Sequence, residues 1–276
     1  MNLKLSIIIL NWNSKHYLKT CLDSILKTIK LKKEIVIVDN GSKDGSVEFV
    51  EKVYPEIILI KNPKNRGVAP ARNQGMATAK GEYLLILDVD TIVHNGAIDN
   101  LINTMESDRK VGLCGPKLVD KDGKIQYSCR EFPNILSKAY RQLPKKWQNY
   151  FLKKEELRDW PHDTLREVDY VIGACQLIRK EALNDVGFLD SRMFYGVEEV
   201  DFCLRLWKKG WKVIYNPTSV VTHFEQRLGR KQIISRLQIE HIKSLIIYFW
   251  KHKYILKAPE FRALRSMLNS RISNEL

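Results

Sequence analysis

The chain has 276 residues, of which 44% are hydrophobic, and this composition supports a folded core without stabilising cross-links. Its 46 lysine and arginine residues outnumber 32 aspartate and glutamate residues, which gives a net charge of +14. Such a charge favours a partner that carries phosphate, namely nucleic acid, anionic lipid or a diphosphate substrate, and does not choose among the three.

Cysteine spacing and apolar runs exclude several further classes of protein. The five cysteines are widely separated and form no CxxC pair, so neither a disulfide framework nor a zinc site is indicated. The apolar start of the chain has no cleavage site behind it, and the run at residues 245–250 is far shorter than the roughly 20 residues of a membrane span. We therefore expect a cytoplasmic protein with reduced, buried thiols.

The first part of the chain alternates β-branched apolar runs with segments of helical periodicity, a pattern typical of a parallel sheet with helices on both faces. The predicted strands are residues 5–10, 35–38, 57–61 and 83–87. Helices are predicted at 14–28, behind a Ser or Asn cap, and at 70–80. The polar turn 39–42 follows the second strand, at the sheet edge where open α/β sheets bind ligands.

Beyond residue 90 the regular alternation is lost, and the predicted elements are more varied. They are a helix at 96–107, a strand at 111–115, a hairpin turn at 120–123 leading into a strand at 124–128, two short helices around Pro144, a strand at 168–179, a helix from Glu198 that ends at Gly210, and strands at 212–215 and 219–222. From Gln232 onward the sequence is basic, amphipathic and predicted to be helical. We divide the chain into one folded domain, residues 1–231, with halves 1–115 and 116–231, and a C-terminal extension, residues 232–276.

Two carboxylates, Asp88 and Asp90, emerge where the strand 83–87 ends. Because alternate residues of an extended segment share a face, both point to the same side. Carboxylates held this close repel one another unless a cation joins them, and oxygen ligands select Mg²⁺ or Mn²⁺. The alternative is that Asp90 merely ends the strand or caps the next element.

A series of segments in fixed order resembles the family-2 glycosyltransferases over roughly residues 4–230. The segments are residues 6–13, 36–46, 65–67, 71–75, 81–90, 171–174, 187–190, 198–205 and 222–223. The resemblance implies a GT-A fold, an α/β architecture in which a Rossmann-like nucleotide-sugar-binding half (1–115) and an acceptor-binding half (116–231) share one continuous central sheet. It also implies an inverting transferase that uses a nucleotide-sugar.

The resemblance places a nucleotide-sugar site on the first half of the chain. Asp39 is expected to accept a hydrogen bond from the pyrimidine ring, and the alternative is an Asx-turn that organises its own loop. Arg72 is a candidate phosphate contact, and the alternative is a solvated position on its helix. Asn11 and Asn65 are assigned to the same site, and Asp88 is assigned both to the diphosphate and to the metal.

The resemblance also completes the metal site with His223, beside Asp88 and Asp90. An imidazole next to two carboxylates suits Mn²⁺ slightly better than Mg²⁺. Arg227, Arg230 and Lys231 come after this histidine and could close on the diphosphate, although they are also typical of solvated charges on a connecting loop.

Glu199 is the predicted catalytic base. The segment Glu198-Glu199-Val200-Asp201 matches a pattern usually written Glu-Asp-x-Asp, whose second residue takes the proton of the acceptor hydroxyl. Glutamate replaces the usual aspartate here, and its additional methylene changes its reach. Acidic residues that merely favour a helix N-terminus are the alternative, and they explain Glu198 fully.

A local resemblance predicts the donor substrate. Residues 159–163 ahead of 168–170 resemble a rhamnosyltransferase branch, so dTDP-L-rhamnose is the best candidate donor, with a UDP-sugar as the other candidate. The acceptor is expected to be a glycan or a lipid-linked saccharide. The basic, aromatic segments 137–160 and 232–272 suit binding to an anionic membrane at its inner face, or a homodimer contact, or simple core packing.

Two rival functions remain at the level of the sequence. A catalytically inactive sugar-nucleotide-binding or scaffold protein would explain the glutamate at the base position. A nucleic-acid-binding protein would explain the charge, but the sequence has no zinc, helix-turn-helix or RNP-like signature, so nucleic acid is not a predicted partner.

Overall fold

One mixed β-sheet organises the protein and carries helices on both faces. The computed structural model describes residues 3–135, 144–224, 236–254, 256–259 and 261. Ten strands of the described chain form this sheet, and eight of them lie side by side in the order 58–61, 33–39, 5–11, 83–88, 175–179, 111–119, 212–223 and 91–93. The sheet is therefore continuous from the first half of the chain into the second, as the sequence predicts.

The first four strands form the predicted parallel layer. The elements are β1 (Leu5–Asn11), α1 (Lys15–Thr28), β2 (Lys33–Asp39), α2 (Ser46–Val53), β3 (Ile58–Lys61), α3 (Val68–Thr78) and β4 (Tyr83–Asp88). Strand β1 pairs in parallel with both β2 and β4, and β2 pairs in parallel with β3. The carboxyl ends of these strands consequently meet at one edge of the sheet.

The second half of the chain continues the sheet and adds antiparallel strand pairs. Its elements are β5 (Thr91–Val93), α4 (Ala97–Ser107), β6 (Val111–Val119), β7 (Ile125–Gln126), β8 (Cys129–Arg130), α5 (Lys145–Glu155), β9 (Arg166–Glu167), β10 (Tyr170–Val171), β11 (Cys175–Arg179), α6 (Lys180–Val186), α7 (Glu198–Lys208), β12 (Lys212–His223) and α8 (Arg236–His252). Strand β11 runs antiparallel to both β4 and β6.

The strands alternate side chains between two hydrophobic cores. Ile7 and Ile9 of β1 belong to the core that includes side chains of α1 and α4, whereas Ile8 belongs to the core that includes side chains of α3, α7 and α8. This period of two is the signature of a sheet buried on both faces, and it explains the continuous apolar runs in the sequence. Each fully buried aliphatic side chain stabilises the fold by roughly 1.5–3 kcal/mol.

Several predicted elements differ from those observed. The single strand predicted at 168–179 is two strands, because the chain turns at Gly173 and Ala174; β10 pairs with β8 in a small separate sheet, and β11 joins the main sheet. The strands predicted at 212–215 and 219–222 are one strand, β12, with an irregularity between Asn216 and Val220. Pro217 lies there and cannot donate to the ladder.

Other differences are local. Ser14 does not cap α1 with its side chain; the carboxylate of Asp44 accepts a hydrogen bond from the backbone N–H of Lys15 instead, at 2.8 Å. The elements α2, β5, β8, β9 and α6 were not predicted, and none of them is longer than the eight residues of α2. Of the two helices predicted around Pro144, α5 follows the proline and residues 136–143 lie outside the described residues. Helix α8 covers residues 236–252 of the predicted helical tail, and the described residues 253, 254 and 256–259 are not helical.

Candidate active site

Asp88, Asp90 and His223 meet at the carboxyl edge of the sheet. Asp88 ends β4, His223 ends β12, and the pairing of β12 with β5 sets His223 opposite Thr91. The backbone N–H of Phe224 donates to the carbonyl of Asp90 at 2.9 Å and fixes this approach. One donor atom from each of the three side chains lies within 4.8 Å of the other two. The three residues predicted as metal ligands are therefore brought together.

The amide of Gln126 orients the imidazole of His223. Gln126 Nε2 donates to the backbone carbonyl of His223 at 2.8 Å, which turns Gln126 Oε1 toward His223 Nδ1 at 2.9 Å. An acceptor at Nδ1 requires the neutral ring to carry its proton there, so the lone pair lies on Nε2. His223 Nε2 is 3.6 Å from Asp90 Oδ1, too long for a hydrogen bond and suitable for two ligands of one cation.

Arg72 lies at the centre of a buried charge network. Its side chain is 5% exposed, and its Nη2 donates to Asp88 Oδ1 at 2.7 Å and to the carbonyl of Gly173 at 2.9 Å. Its Nη1 lies 3.3 Å from Glu198 Oε1. A Cβ at Gly173 would lie 2.6 Å from Nη1, so only glycine lets the guanidinium approach this backbone. This burial rules out a solvated position, and a phosphate contact remains a prediction.

The first turn of α7 carries Glu198 and the predicted base Glu199. The pKa of Glu198 is raised to about 8, chiefly by burial and then by the negative charge of Glu199, while the charge of Arg72 opposes both effects. Val197, which precedes the helix, has a φ of 73°, a conformation that is strained for a β-branched residue. The packing around Val197 therefore maintains the backbone conformation that positions both glutamates.

Asn11 and Asp39 stand opposite each other in the register of β1 and β2. Asn11 Nδ2 donates to Asp39 Oδ2 at 2.8 Å, and Asp39 Oδ1 accepts from the backbone N–H groups of Gly41 and Ser42 at 3.1 and 2.9 Å. The Asx-turn alternative therefore describes Asp39 correctly. A carboxylate has about four acceptor positions, so a contact with a nucleobase is compatible with this turn and remains a prediction.

Asn65 organises the loop that leads into α3. Its Oδ1 accepts from Asn40 Nδ2 at 3.0 Å and from the backbone N–H of Gly67 at 2.8 Å. Gly67 has a φ of +92°, and a Cβ there would lie 2.8 Å from the carbonyl oxygen of Phe194. The loop is therefore packed directly against the segment that precedes α7.

A cavity of about 310 Å³ opens over this edge of the sheet. Three candidate metal ligands and Asn65 line it, whereas Asn11, Asp39 and Arg72 do not. The lining residues are Leu10, Trp12, Ser14, Asn40, Asn65, Gly67, Val68, Asp88, Val89, Asp90, Phe194, Tyr195, His223 and Leu237. Its size is at the small end of the range for ligand sites.

Three predicted residues lie beyond the described part of the site, and two features of the observed site were not predicted. Arg227, Arg230 and Lys231 lie outside the described residues. The contact of Gln126 with His223 and the burial of Glu198 were missed, because both depend on the approach of strands and helices distant in sequence. An acidic residue beside the predicted base was the only sequence signal for Glu198.

The model of the family "Glycosyl transferase family 2" matches residues 6–187. The chain belongs to this family. The match covers the strands that carry Asp39 and Asp88.

Two curated relatives illustrate the family. The chain is 26% identical over 280 residues to the N-acetylglucosaminyl-diphospho-decaprenol L-rhamnosyltransferase of Mycobacterium tuberculosis, with 96% of this chain and 90% of that protein covered. It is 28% identical over 217 residues to the poly-beta-1,6-N-acetyl-D-glucosamine synthase of Staphylococcus aureus, with 76% of this chain and 47% of that protein covered. The chain thus spans about half the length of the second relative.

Two solved structures share the fold. The mannosyltransferase PcManGT from Pyrobaculum calidifontis, in complex with GDP-Man and Mn²⁺, superposes with a TM-score of 0.62 at 20% identity, covering 94% of this chain and 66% of that one. GalNAc-T7 with UDP, GalNAc and Mn²⁺ superposes with a TM-score of 0.65 at 19% identity, covering 89% of this chain and 48% of that one. The fold is therefore GT-A, as the sequence resemblance implies.

Proposed function

We propose that the protein is a metal-dependent inverting glycosyltransferase that moves a sugar from a nucleoside-diphosphate donor to a hydroxyl group of a glycan or lipid-linked saccharide. The observation that carries this proposal is the meeting of Asp88, Asp90 and His223 beside a cavity, with the acidic first turn of α7 linked to Asp88 through Arg72. This arrangement combines a place for the leaving diphosphate with a carboxylate for proton transfer.

The chemistry of the donor atoms fits a divalent cation. Two carboxylates and one neutral imidazole suit Mn²⁺ or Mg²⁺, and the imidazole favours Mn²⁺. A bound cation would neutralise charge on the departing nucleoside diphosphate. The two solved relatives that share the fold contain Mn²⁺, which supports this assignment.

Glu199 is the proposed general base. Its neighbour Glu198 is engaged by Arg72 and has a raised pKa, so Glu198 is the poorer candidate to accept the proton of the acceptor hydroxyl. The oxygen then attacks the anomeric carbon opposite the diphosphate, which inverts the configuration. Arg72 fixes the position of Asp88 relative to α7, the helix that carries Glu199. Through Asp88 it also orients the proposed diphosphate site.

The proposed nucleotide pocket includes Asn11, Asp39 and Asn65 on the first half of the sheet. Asn11 Oδ1 is buried and has no hydrogen-bond partner among the described residues, so it offers an acceptor for the imide N–H of a pyrimidine. Uracil and thymine both carry this donor. A dTDP- or UDP-sugar is therefore the proposed donor class.

Within this class we favour dTDP-L-rhamnose as the donor. The relative named as an L-rhamnosyltransferase aligns over 96% of this chain, and its named acceptor is an N-acetylglucosaminyl-diphospho-lipid. A related diphosphate-linked lipid is the proposed acceptor here. With such an acceptor, the proposed location is the inner face of a membrane, where the protein would be peripheral.

Thermal shift with a panel of nucleotide-sugars tests the proposal, with and without Mn²⁺. We expect a dTDP- or UDP-sugar to raise the melting temperature only when the metal is present, because the diphosphate and the side chains share it as a ligand. Asp90→Asn should lose this response. A donor that stabilises the protein equally in the presence of a chelator would contradict the metal-dependent site.

An inactive sugar-nucleotide-binding protein is the main alternative. It would bind the same donor and transfer nothing to any acceptor. Release of nucleoside diphosphate from the donor in the presence of metal separates the two functions, and an oligonucleotide-binding assay addresses the less favoured nucleic-acid function.

A further inference from the structure

Helix α8 exposes a row of large apolar side chains. Ile239, Ile242, Ile246 and Trp250 succeed one another at intervals of three and four residues, so they lie on one face of the helix. Ile246 is 63% exposed and Trp250 is 76% exposed. A contiguous exposed row of this kind marks an interaction surface rather than a scattered set of surface residues. We refer to these four side chains as the α8 face.

The opposite side of α8 is firmly attached to the protein. Ser244 and Tyr248 are buried, and Tyr248 belongs to the core shared with α3 and α7. Lys251 Nζ and His252 Nε2 lie 2.7 and 2.8 Å from Asp201 Oδ1, on the helix whose first turn carries the proposed base. The α8 face is therefore held in a fixed orientation relative to the catalytic residues.

The first turns of α8 reach the candidate active site. Leu237 lines the cavity beside His223, and the ring of His241 packs so closely on Gly196 that a Cβ there would lie 2.6 Å from its Nδ1. Leu237 and His241 lie about half a turn around the helix from Ile239, so the α8 face begins beside the cavity along α8 but points to the opposite side of the helix. A surface bound by this face would lie about 10 Å, roughly one helix diameter, from the cavity.

The charge around the α8 face indicates which kind of partner surface the face binds. Lys253 and Lys257 are exposed, and the only acidic residue of α8, Glu240, pairs with Lys243 at 2.8 Å. Residues 226–276 contain eleven lysine or arginine residues and three glutamates. Basic residues beside an exposed tryptophan and branched apolar side chains suit an interfacial helix on anionic lipid.

We propose that the α8 face docks the protein on an anionic bilayer surface, with α8 lying in the plane of the interface. No helix of the described residues is both long enough and apolar enough to cross a bilayer. A second copy of this chain is a poorer partner because it would bring the same positive charge to the contact. The proposal rests on the proposed function, since docking would hold the cavity close to a bilayer that contains a lipid-linked acceptor.

Vesicle co-sedimentation of the full chain tests the docking, with phosphatidylcholine vesicles that contain about 30% phosphatidylglycerol. We expect Ile246→Glu/Trp250→Glu to weaken binding at least about tenfold, and Ile242→Glu to act in the same direction. Leu165, also on the second half of the chain, is 57% exposed, so Leu165→Glu is the matched control and should change binding less than about twofold. Raising the salt to about 0.5 M should release the wild-type protein.

Equal binding by the double variant and the wild-type protein would overturn the proposal. The absence of vesicle binding by the wild-type protein would also overturn it. If that wild-type protein sediments as a dimer and the double variant as a monomer, the α8 face binds a second copy instead.

Transfer to a water-soluble acceptor separates this proposal from the proposed function. The double variant should retain that activity, whereas Glu199→Gln should lose it and still bind vesicles. A wild-type protein that binds vesicles through the α8 face and transfers no sugar would refute the proposed function and leave the docking surface intact.

Discussion

Gln126→Leu removes the contacts that orient His223 and leaves all three proposed metal ligands in place. In the wild-type protein, Gln126 accepts from His223 Nδ1 at 2.9 Å and donates to the His223 carbonyl at 2.8 Å. Loss of such a contact behind a ligand weakens metal binding by about 10- to 100-fold, which corresponds to roughly 1.4–2.7 kcal/mol. Calorimetric titration of Mn²⁺ in the presence of a nucleoside diphosphate measures the change.

Gln126→Glu provides the matched comparison. Glutamate keeps an acceptor at Nδ1 and loses only the donor to the carbonyl, so we expect its Mn²⁺ affinity to stay within about threefold of the wild-type value or to increase. The reasoning is refuted if Gln126→Leu, with an unchanged melting temperature, binds Mn²⁺ as tightly as the wild-type protein. It is also refuted if the leucine and glutamate variants lose equal affinity.

The remaining predictions concern the buried charges. Arg72→Lys keeps the charge but cannot span both carboxylate partners, so kcat should fall at least about tenfold with a smaller change in donor KM, as steady-state kinetics would show. Asp201→Asn should lower the free energy of unfolding in urea by about 1–3 kcal/mol, because it removes the buried charge that Arg205, Lys251 and His252 share, while Lys251 keeps Asp190 as a partner; an unchanged midpoint would contradict this. Hydrogen bonds from Arg192 hold the pKa of Asp190 below its usual range, and those from Lys251 add to the effect. The stability that Asp190 contributes is therefore complete above about pH 4 and is lost as the pH falls toward its folded pKa, so Asp190→Asn should flatten the acid side of the unfolding profile.

The parallel half of the fold was predictable because it depends on local patterns. Strands such as β1 and β4 are continuous apolar runs, and their side chains are buried on both faces, so the sequence alone identifies them. The break between β10 and β11 was not predictable. It occurs at Gly173, whose carbonyl accepts a hydrogen bond from Arg72, and this contact joins residues 101 positions apart in the sequence.

The same distinction holds for the candidate site. Asp88 and Asp90 are close in sequence at a strand end, and the order of the family motifs links them to His223 through the sequence alone. Glu198 has no comparable signal, since acidic residues favour the first turn of any helix. Its pairing with Arg72 inside the protein, and the rise of its pKa, depend on burial that a sequence pattern does not show.

The amphipathic pattern of tail helix α8 is compatible with core packing, membrane binding or a dimer contact. The structure shows that the helix is apolar on two sides, since Tyr248 packs in the core and Trp250 is exposed. Core packing therefore accounts for only one side. Periodicity alone could not separate the two sides, because both contribute apolar residues at helical spacing.

The most direct test of the central claim is sugar transfer by Glu199→Gln, measured beside the wild-type protein with Mn²⁺ and the donor identified by thermal shift. We expect the wild-type protein to give a product of inverted configuration and the variant to lose transfer at least about 100-fold, with donor affinity within about twofold. Undiminished transfer by the variant would contradict the assignment of Glu199 as the base and, with it, the proposed mechanism.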